Sequence, residues 1–149
     1  MAGQYGQQRC TETQTFQAME ALEPFRLVNL DTGLYLDAHA DGVRKGINQR
    51  RVEAGEMAVA ATRGTLLVES AAAAGINATD NGVGFSPRYS FNSAGTDKYL
   101  KIVADGKADL AASAETAIAT VLSGQWAAPT TAGMQLLEIA LLEQPYVVP

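Results

Sequence analysis

The only histidine of the chain, His39, is the residue whose type and surroundings best suit chemistry. It lies in Asp37-Ala38-His39-Ala40-Asp41, and in an extended strand these three polar side chains would share one face and could bind a cation. However, the segment leads directly into an Asp-Gly turn, and zinc sites draw on His and Cys before carboxylates, while the single cysteine is the distant Cys10. We therefore interpret the segment as a solvated loop and expect no metal site.

A nucleophile beside a base is the second kind of chemistry to consider, because serine and cysteine need a base for activation. The serine nearest to His39 in the sequence is Ser70, and no Gly-x-Ser-x-Gly motif occurs. The glycine-rich segment Gly82-Val83-Gly84-Phe85-Ser86-Pro87 lacks the lysine of a phosphate-binding loop. The sequence thus predicts no catalytic residue, no cofactor and no enzymatic activity.

The composition indicates a protein that buries part of its surface against other chains. Charged residues make up 18% of the sequence and hydrophobic residues 47%, a low share of charge for a freely soluble monomer. The net charge of −5 would repel nucleic acid and anionic lipid, so neither is an expected partner. No apolar run has the length of a membrane span and the N-terminal residues are polar, so we expect neither a secretory signal nor a membrane anchor.

Short apolar runs separated by glycine turns predict a mainly β chain. The predicted strands lie at Phe25–Leu30, Leu34–Leu36, Met57–Ala61, Thr65–Val68, Tyr99–Val103, Ile118–Leu122 and Leu136–Leu142. Two alanine-rich stretches, Glu69–Ala74 and Ala111–Ala119, are candidates for short helices. Residues 1–24 are polar and without a period, which is typical of an extended arm. We therefore predict one small β-barrel or sandwich-like domain over residues 25–149, preceded by this N-terminal arm.

Two segments of the sequence resemble each other weakly, at residues 52–60 and 131–141. Each places an Ala-Gly turn shortly before an apolar strand. The similarity is compatible with paired halves of a small barrel, and equally with chance, since Ala-Gly turns are common.

From Phe25 to about Glu143 the chain resembles the small capsid cement and head decoration proteins of tailed bacteriophages. The resemblance is carried by turn-and-strand segments at residues 52–60, 63–69, 105–111 and 118–122 and by the closing Ala132-Gly133 turn with its apolar strand. It implies a structural protein on the outer surface of the virion, made in the host cytoplasm, which braces neighbouring major capsid proteins as a homotrimer or homodimer. A carbohydrate-binding or host-surface-binding β module is the alternative function.

Candidate contacts with such partners are the apolar residues of the arm and part of the one basic cluster. Arg44, Lys45, Arg50 and Arg51 form this cluster, which is either a docking site for an acidic protein surface or a solvated loop. Trp126 either lies at an interface or caps the core of its own chain. The predicted partner-binding residues are Phe16, Met19, Leu22, Arg50, Arg51 and Trp126.

Overall fold

The computed structural model describes residues 9–37, 43–70, 99–121 and 136–149, and within them the backbone is mainly β. These residues contain nine strands: β1 (Arg9–Gln17), β2 (Leu27–Asn29), β3 (Leu34–Tyr35), β4 (Lys45–Asn48), β5 (Met57–Glu69), β6 (Tyr99–Val103), β7 (Lys107–Leu110), β8 (Thr116–Val121) and β9 (Leu136–Val147). A short 3₁₀ turn at Ala104–Gly106 joins β6 to β7.

The strands form one curled sheet in the order β3-β2-β4-β5-β9-β8-β6-β7, and β1 pairs with β5. Every pair between these strands is antiparallel. The sheet has the shape of a half-barrel, which confirms the predicted mainly β, barrel-like fold.

The seven predicted apolar runs fall on six strands, since Met57–Ala61 and Thr65–Val68 are both parts of β5. The alternative of a helix at Ala111–Ala119 is wrong, because this stretch turns at residues 113–115 and then enters β8. Two of its alanines, Ala117 and Ala119, are buried in β8, which lies between β6 and β9. Small side chains suit such a position because they fill the limited space inside a tightly curved sheet.

The long strand β5 holds the two parts of the sheet together. Its first half pairs with β1 and β4, and its second half, from Leu66 to Glu69, pairs with β9. Gly64 lies at the change of partner with φ +111°, next to an irregularity in the register of β1. A β-bulge opposite such a glycine increases the local bend, and this lets one strand serve both parts of a curled sheet.

Residues of the predicted arm are part of the folded domain. β1 runs along Met57–Thr65 of β5, and Phe16, Ala18 and Leu22 are buried in a hydrophobic cluster with β2 and the start of β5. A second and larger cluster fills the inside of the sheet around Ile118. Residues 9–17 therefore form an extended strand of the sheet, and three apolar residues of the predicted arm, Phe16, Ala18 and Leu22, pack inside the chain itself.

A repeated turn precedes both β5 and β8. In the first turn the N–H of Glu56 donates to the carbonyl of Glu53, and in the second the N–H of Glu115 donates to the carbonyl of Ala112. In both turns the glutamate carboxylate also accepts a bond from the N–H three residues earlier, at 2.6 and 2.8 Å. Gly55 and Ala114 hold the same place with positive φ.

The two strands that lead to these turns also occupy equivalent positions. Ala18 exchanges backbone hydrogen bonds with the first turn, and Val148 does so with the second. Phe16 and Tyr146 then correspond, since they face Ala58 and Ala117 respectively. The chain thus contains a repeated turn-and-strand unit at residues 53–60 and 112–119. The similarity noted in the sequence paired residues 52–60 with 131–141 instead, and residues 131–135 lie outside the described residues.

Candidate protein-binding surface

Two exposed methionines mark one end of the sheet. Met19 and Met57 are 59% and 57% exposed. Met57 faces Gln17 across the β1–β5 pair, and residues that face each other in an antiparallel pair point to the same side of the sheet. Met19 follows Gln17 by two residues, and its N–H donates to the carbonyl of Gly33 at 2.9 Å. Both thioethers therefore lie at the end of the sheet where β1 leaves β5.

Glycine at position 33 allows the β2–β3 turn to approach this end closely. A Cβ atom at Gly33 would lie 2.1 Å from the carbonyl oxygen of Gln17, and the residue has φ +72°. The side chain of Asn29 closes the turn by accepting bonds from the N–H groups of Asp31 and Thr32. Leu34, which is also exposed, directly follows Gly33, whose carbonyl accepts the bond from the N–H of Met19.

Arg50 adds a positive charge at the same end, because its Nη2 donates to the carbonyl of Met57 at 3.4 Å. Within the described part of the chain no carboxylate pairs with Arg50. Arg51 differs, since it forms ion pairs with Glu23 and Glu53, and the bond to Glu23 raises the pKa of Arg51. We call Met19, Leu34, Met57 and Arg50 the methionine surface.

The structure separates the predicted contact residues into three groups. Met19 and Arg50 belong to the methionine surface, and Arg51 is exposed but bound by carboxylates of its own chain. Phe16 and Leu22, which the sequence analysis expects to contact a partner, are instead buried in the cluster below this surface at 5% and 0% exposure. They support the surface from inside, because an apolar side chain in an otherwise polar strand is more stable in its own core than in water. Trp126 lies outside the described residues.

The predicted basic cluster does not form one patch of free charge. Arg44 forms an ion pair with Asp31, with Nη2 and Oδ1 2.7 Å apart. Lys45 is half-buried and lines a cleft of about 610 Å³ beside the middle of β5, together with Thr62, Arg63 and Glu143. Burial lowers the pKa of Lys45.

Lys45 therefore offers a test of this cleft. We expect Lys45→Met to raise the free energy of unfolding at pH 7 by up to about 1 kcal/mol, since it removes a half-buried ammonium without a partner in the described residues. The unfolded chain binds more protons than the folded chain between the lowered pKa and 10.5, so the wild type gains stability as the pH rises through this range. The advantage of methionine should shrink accordingly in urea unfolding at increasing pH.

Lys101→Met is the matched control, because Lys101 pairs with Glu115 and helps to hold the pKa of that carboxyl below its usual value. This variant should lose stability at pH 7. Equal effects of the two substitutions would contradict the difference between a paired and an unpaired lysine.

Asp37 and Cys10 are the described members of the set of residues that the sequence analysis weighs for metal binding. The carboxylate of Asp37 accepts a bond from the N–H of Asp105, while His39 and Asp41 lie outside the described residues. The Cys10 thiol is exposed on β1. No group of three or more metal-binding side chains occurs in the parts of the chain that the structure covers. In these same parts, no helix has the length and apolar character needed to cross a membrane.

Comparisons with models of protein families, with curated proteins and with solved structures give no match to this chain.

Proposed function

We propose that this chain is a structural protein that docks on other protein subunits, as a cement protein does on the outer surface of a phage head. The exposure of Met19 and Met57 at one end of the sheet carries the proposal. Large apolar side chains grouped on a surface are typical of protein interfaces, and methionine adapts to the shape of its partner better than branched side chains do. The resemblance to head decoration proteins in the sequence supports the same class of function.

Arg50 gives the surface its preference for a partner. A guanidinium group can form two parallel hydrogen bonds with a carboxylate, and Arg50 has no such carboxylate among the described residues. An apolar patch of the major capsid protein would cover the methionines, and an acidic residue at the rim of that patch would pair with Arg50. We place the methionine surface against the shell.

A cement protein acts by mass action and needs no bond-making step. A ligand that binds only the assembled and expanded shell stabilises that state in proportion to the logarithm of its concentration over its dissociation constant. Many copies on one closed shell add their contributions, so each copy needs only a modest interface.

The test uses expanded heads from particles that lack this protein, mixed with the full chain and sedimented. We expect the double variant Met19→Glu with Met57→Glu to bind the heads about tenfold to a hundredfold more weakly, because each change removes apolar burial and places a charge in the interface. The measured quantity is the concentration for half-saturation of the heads.

Val147→Glu is the matched control for this experiment. Val147 is as exposed as the methionines but belongs to the strand that pairs with the second repeated turn. Its change should leave binding unaltered. Wild-type affinity in the double variant, or an equal loss in Val147→Glu, would exclude the methionine surface as the shell contact.

A further inference from the structure

The two methionines of the methionine surface carry a group that a dissolved oxidant can reach. Methionine is among the residue types most often buried in folded proteins, yet Met19 and Met57 are 59% and 57% exposed. Oxidation of a thioether requires contact between the sulfur and the oxidant, so exposure decides which methionines react first. Both residues of this pair meet that condition while the chain is folded.

The backbone, and not the side chain, holds each methionine in place. The N–H of Met19 donates to the carbonyl of Gly33, and a Cβ atom at Gly33 would lie 2.9 Å from the Cγ of Met19, so only the stem of this side chain contacts the β2–β3 turn. The carbonyl of Met57 accepts a bond from Arg50. Neither side chain belongs to a hydrophobic cluster of the described residues. A chemical change at the two sulfurs therefore leaves the core intact.

The reaction with hydrogen peroxide is an oxygen transfer to sulfur. The thioether sulfur attacks one peroxide oxygen, a sulfur–oxygen bond forms and the oxygen–oxygen bond breaks. The second oxygen leaves as hydroxide and becomes water by taking the proton of the transferred hydroxyl group. The sulfur loses two electrons and the peroxide gains them. The product, methionine sulfoxide, is polar where the thioether was apolar.

We propose that Met19 and Met57 form an oxidation site, at which a peroxide converts the free chain into a form that does not dock. This inference rests on the proposed function, because it takes the methionine surface as the contact with the shell. Each sulfoxide brings a polar oxygen into an interface that depends on apolar burial, and such a group costs free energy unless a donor faces it. Docked copies are protected, since the shell covers both sulfurs, so the oxidant acts before attachment.

The modification is reversible because the chain stays folded. A methionine sulfoxide reductase with a dithiol as reductant returns the thioether: the sulfur–oxygen bond breaks, the oxygen leaves as water and the dithiol becomes a disulfide. Exposure of the two residues gives such an enzyme the same access that it gives the peroxide. Reduction should therefore restore docking.

The first experiment treats the free full chain with hydrogen peroxide and then measures its binding to expanded heads by sedimentation. It uses a Cys10→Ser background, because the exposed thiol also reacts with peroxide. Peptide mass spectrometry should show one added oxygen at Met19 and at Met57, with a melting temperature within about 2 °C of that of the untreated chain. The concentration for half-saturation should rise about tenfold and return after treatment with the reductase. Unchanged binding of the doubly oxidised chain would overturn the proposal.

The double variant Met19→Leu with Met57→Leu is the matched control. Leucine keeps the apolar area at nearly the same volume but has no sulfur to oxidise. The other two methionines of the sequence, Met1 and Met134, remain in this variant. We expect it to bind heads equally well before and after peroxide treatment. A loss of binding after treatment would assign the effect to other residues and refute the proposed site.

Peroxide treatment of the docked protein tests the protection by the shell. Met19 and Met57 should become oxidised several times more slowly on heads than in solution, and equal rates would contradict the protection of docked copies. Failure of the proposed function has a different signature, because Met19→Glu with Met57→Glu would then bind as the wild type does without any oxidant. If this double variant binds weakly while the oxidised chain binds normally, the surface is the contact and the oxidation site alone is excluded.

Discussion

Gly64→Ala should lower the free energy of unfolding by about 3 kcal/mol or more, because it combines backbone strain with a collision that nothing nearby can relieve. Gly64 has φ +111°, and a Cβ atom built on it would lie 2.0 Å from the carbonyl oxygen of Arg9. This atom belongs to the backbone of β1 and cannot rotate away as a side chain would. Thermal unfolding should show a decrease in melting temperature of about 10 °C.

Gly55→Ala provides the matched control for Gly64. Its φ is also positive, at +91°, but no atom lies within 4 Å of a Cβ built there. The equivalent position in the second repeated turn is Ala114, at φ 68°, so the fold accommodates alanine in this turn. We expect a loss of about 1 kcal/mol for Gly55→Ala. Losses of equal size at the two glycines would show that strain alone, and not the contact with β1, makes Gly64 necessary.

The apolar strands of this protein could be predicted from the sequence, and its polar strands could not. β6 and β9 begin where their apolar runs begin, since a strand that is buried on one or both faces must carry such a run. β4 was missed because its sequence, Lys-Gly-Ile-Asn, lies in the basic cluster and contains one large apolar residue. Its burial comes from the strands on both sides, β2 and β5, which no local pattern reveals.

β1 was assigned to an arm for a related reason. Its nine residues include one large apolar side chain, Phe16, and most of the strand is exposed. A signal was present, however: Thr11, Thr13 and Thr15 alternate along it, and threonine favours strands. An edge strand needs apolar residues only where it covers the core, so hydrophobic periodicity underestimates such strands.

The structure separates the residues that the sequence predicts as partner contacts by their burial. Met19 and Arg50 are exposed and lie on the methionine surface. The sequence could not separate Met19 from Phe16 and Leu22, because one residue of difference in register decides whether a side chain points to the core or to water. Met57 was counted as part of a strand, and its exposure follows from its place at the first residue of β5, beyond the core.

The repeated turn had a sequence signal that was overlooked. In both turns a glutamate lies three residues after the position whose N–H it binds. The strand begins at the next residue, and the pattern Ala-x-Ala follows inside it, from Ala58 and from Ala117. The Ala-Gly pair is not common to the two turns, since Ala54-Gly55 corresponds to Ser113-Ala114. Both turns share the glutamate carboxylate that closes the turn. This carboxylate accepts a bond from a backbone N–H that would otherwise lack a partner.

Glu69→Ala is expected to be the most damaging change of a charged residue among those with described ion pairs. Glu69 is 7% exposed at the end of β5, and its two oxygens bind Arg26 at 3.1 Å and Lys107 at 3.2 Å. Arg26 precedes β2 and Lys107 begins β7, so one carboxylate connects strands from opposite ends of the sheet order. Its removal leaves the nearly buried guanidinium of Arg26 without its carboxylate. We expect a loss of about 3 kcal/mol in the free energy of unfolding, measured in urea.

Glu143→Ala is the control, since Glu143 also pairs with an arginine, Arg63, but at 3.4 Å and with both side chains largely exposed. An exposed pair of this kind contributes about 0.5 kcal/mol or less, because water and salt screen it. In 1 M salt any loss from Glu143→Ala should disappear, whereas that from Glu69→Ala should persist. If Glu69→Ala and Glu143→Ala lowered the free energy of unfolding by the same amount, the ion pairs of Glu69 with Arg26 and Lys107 would contribute no more than an exposed pair. They could then not be the contacts that join β2 to β7.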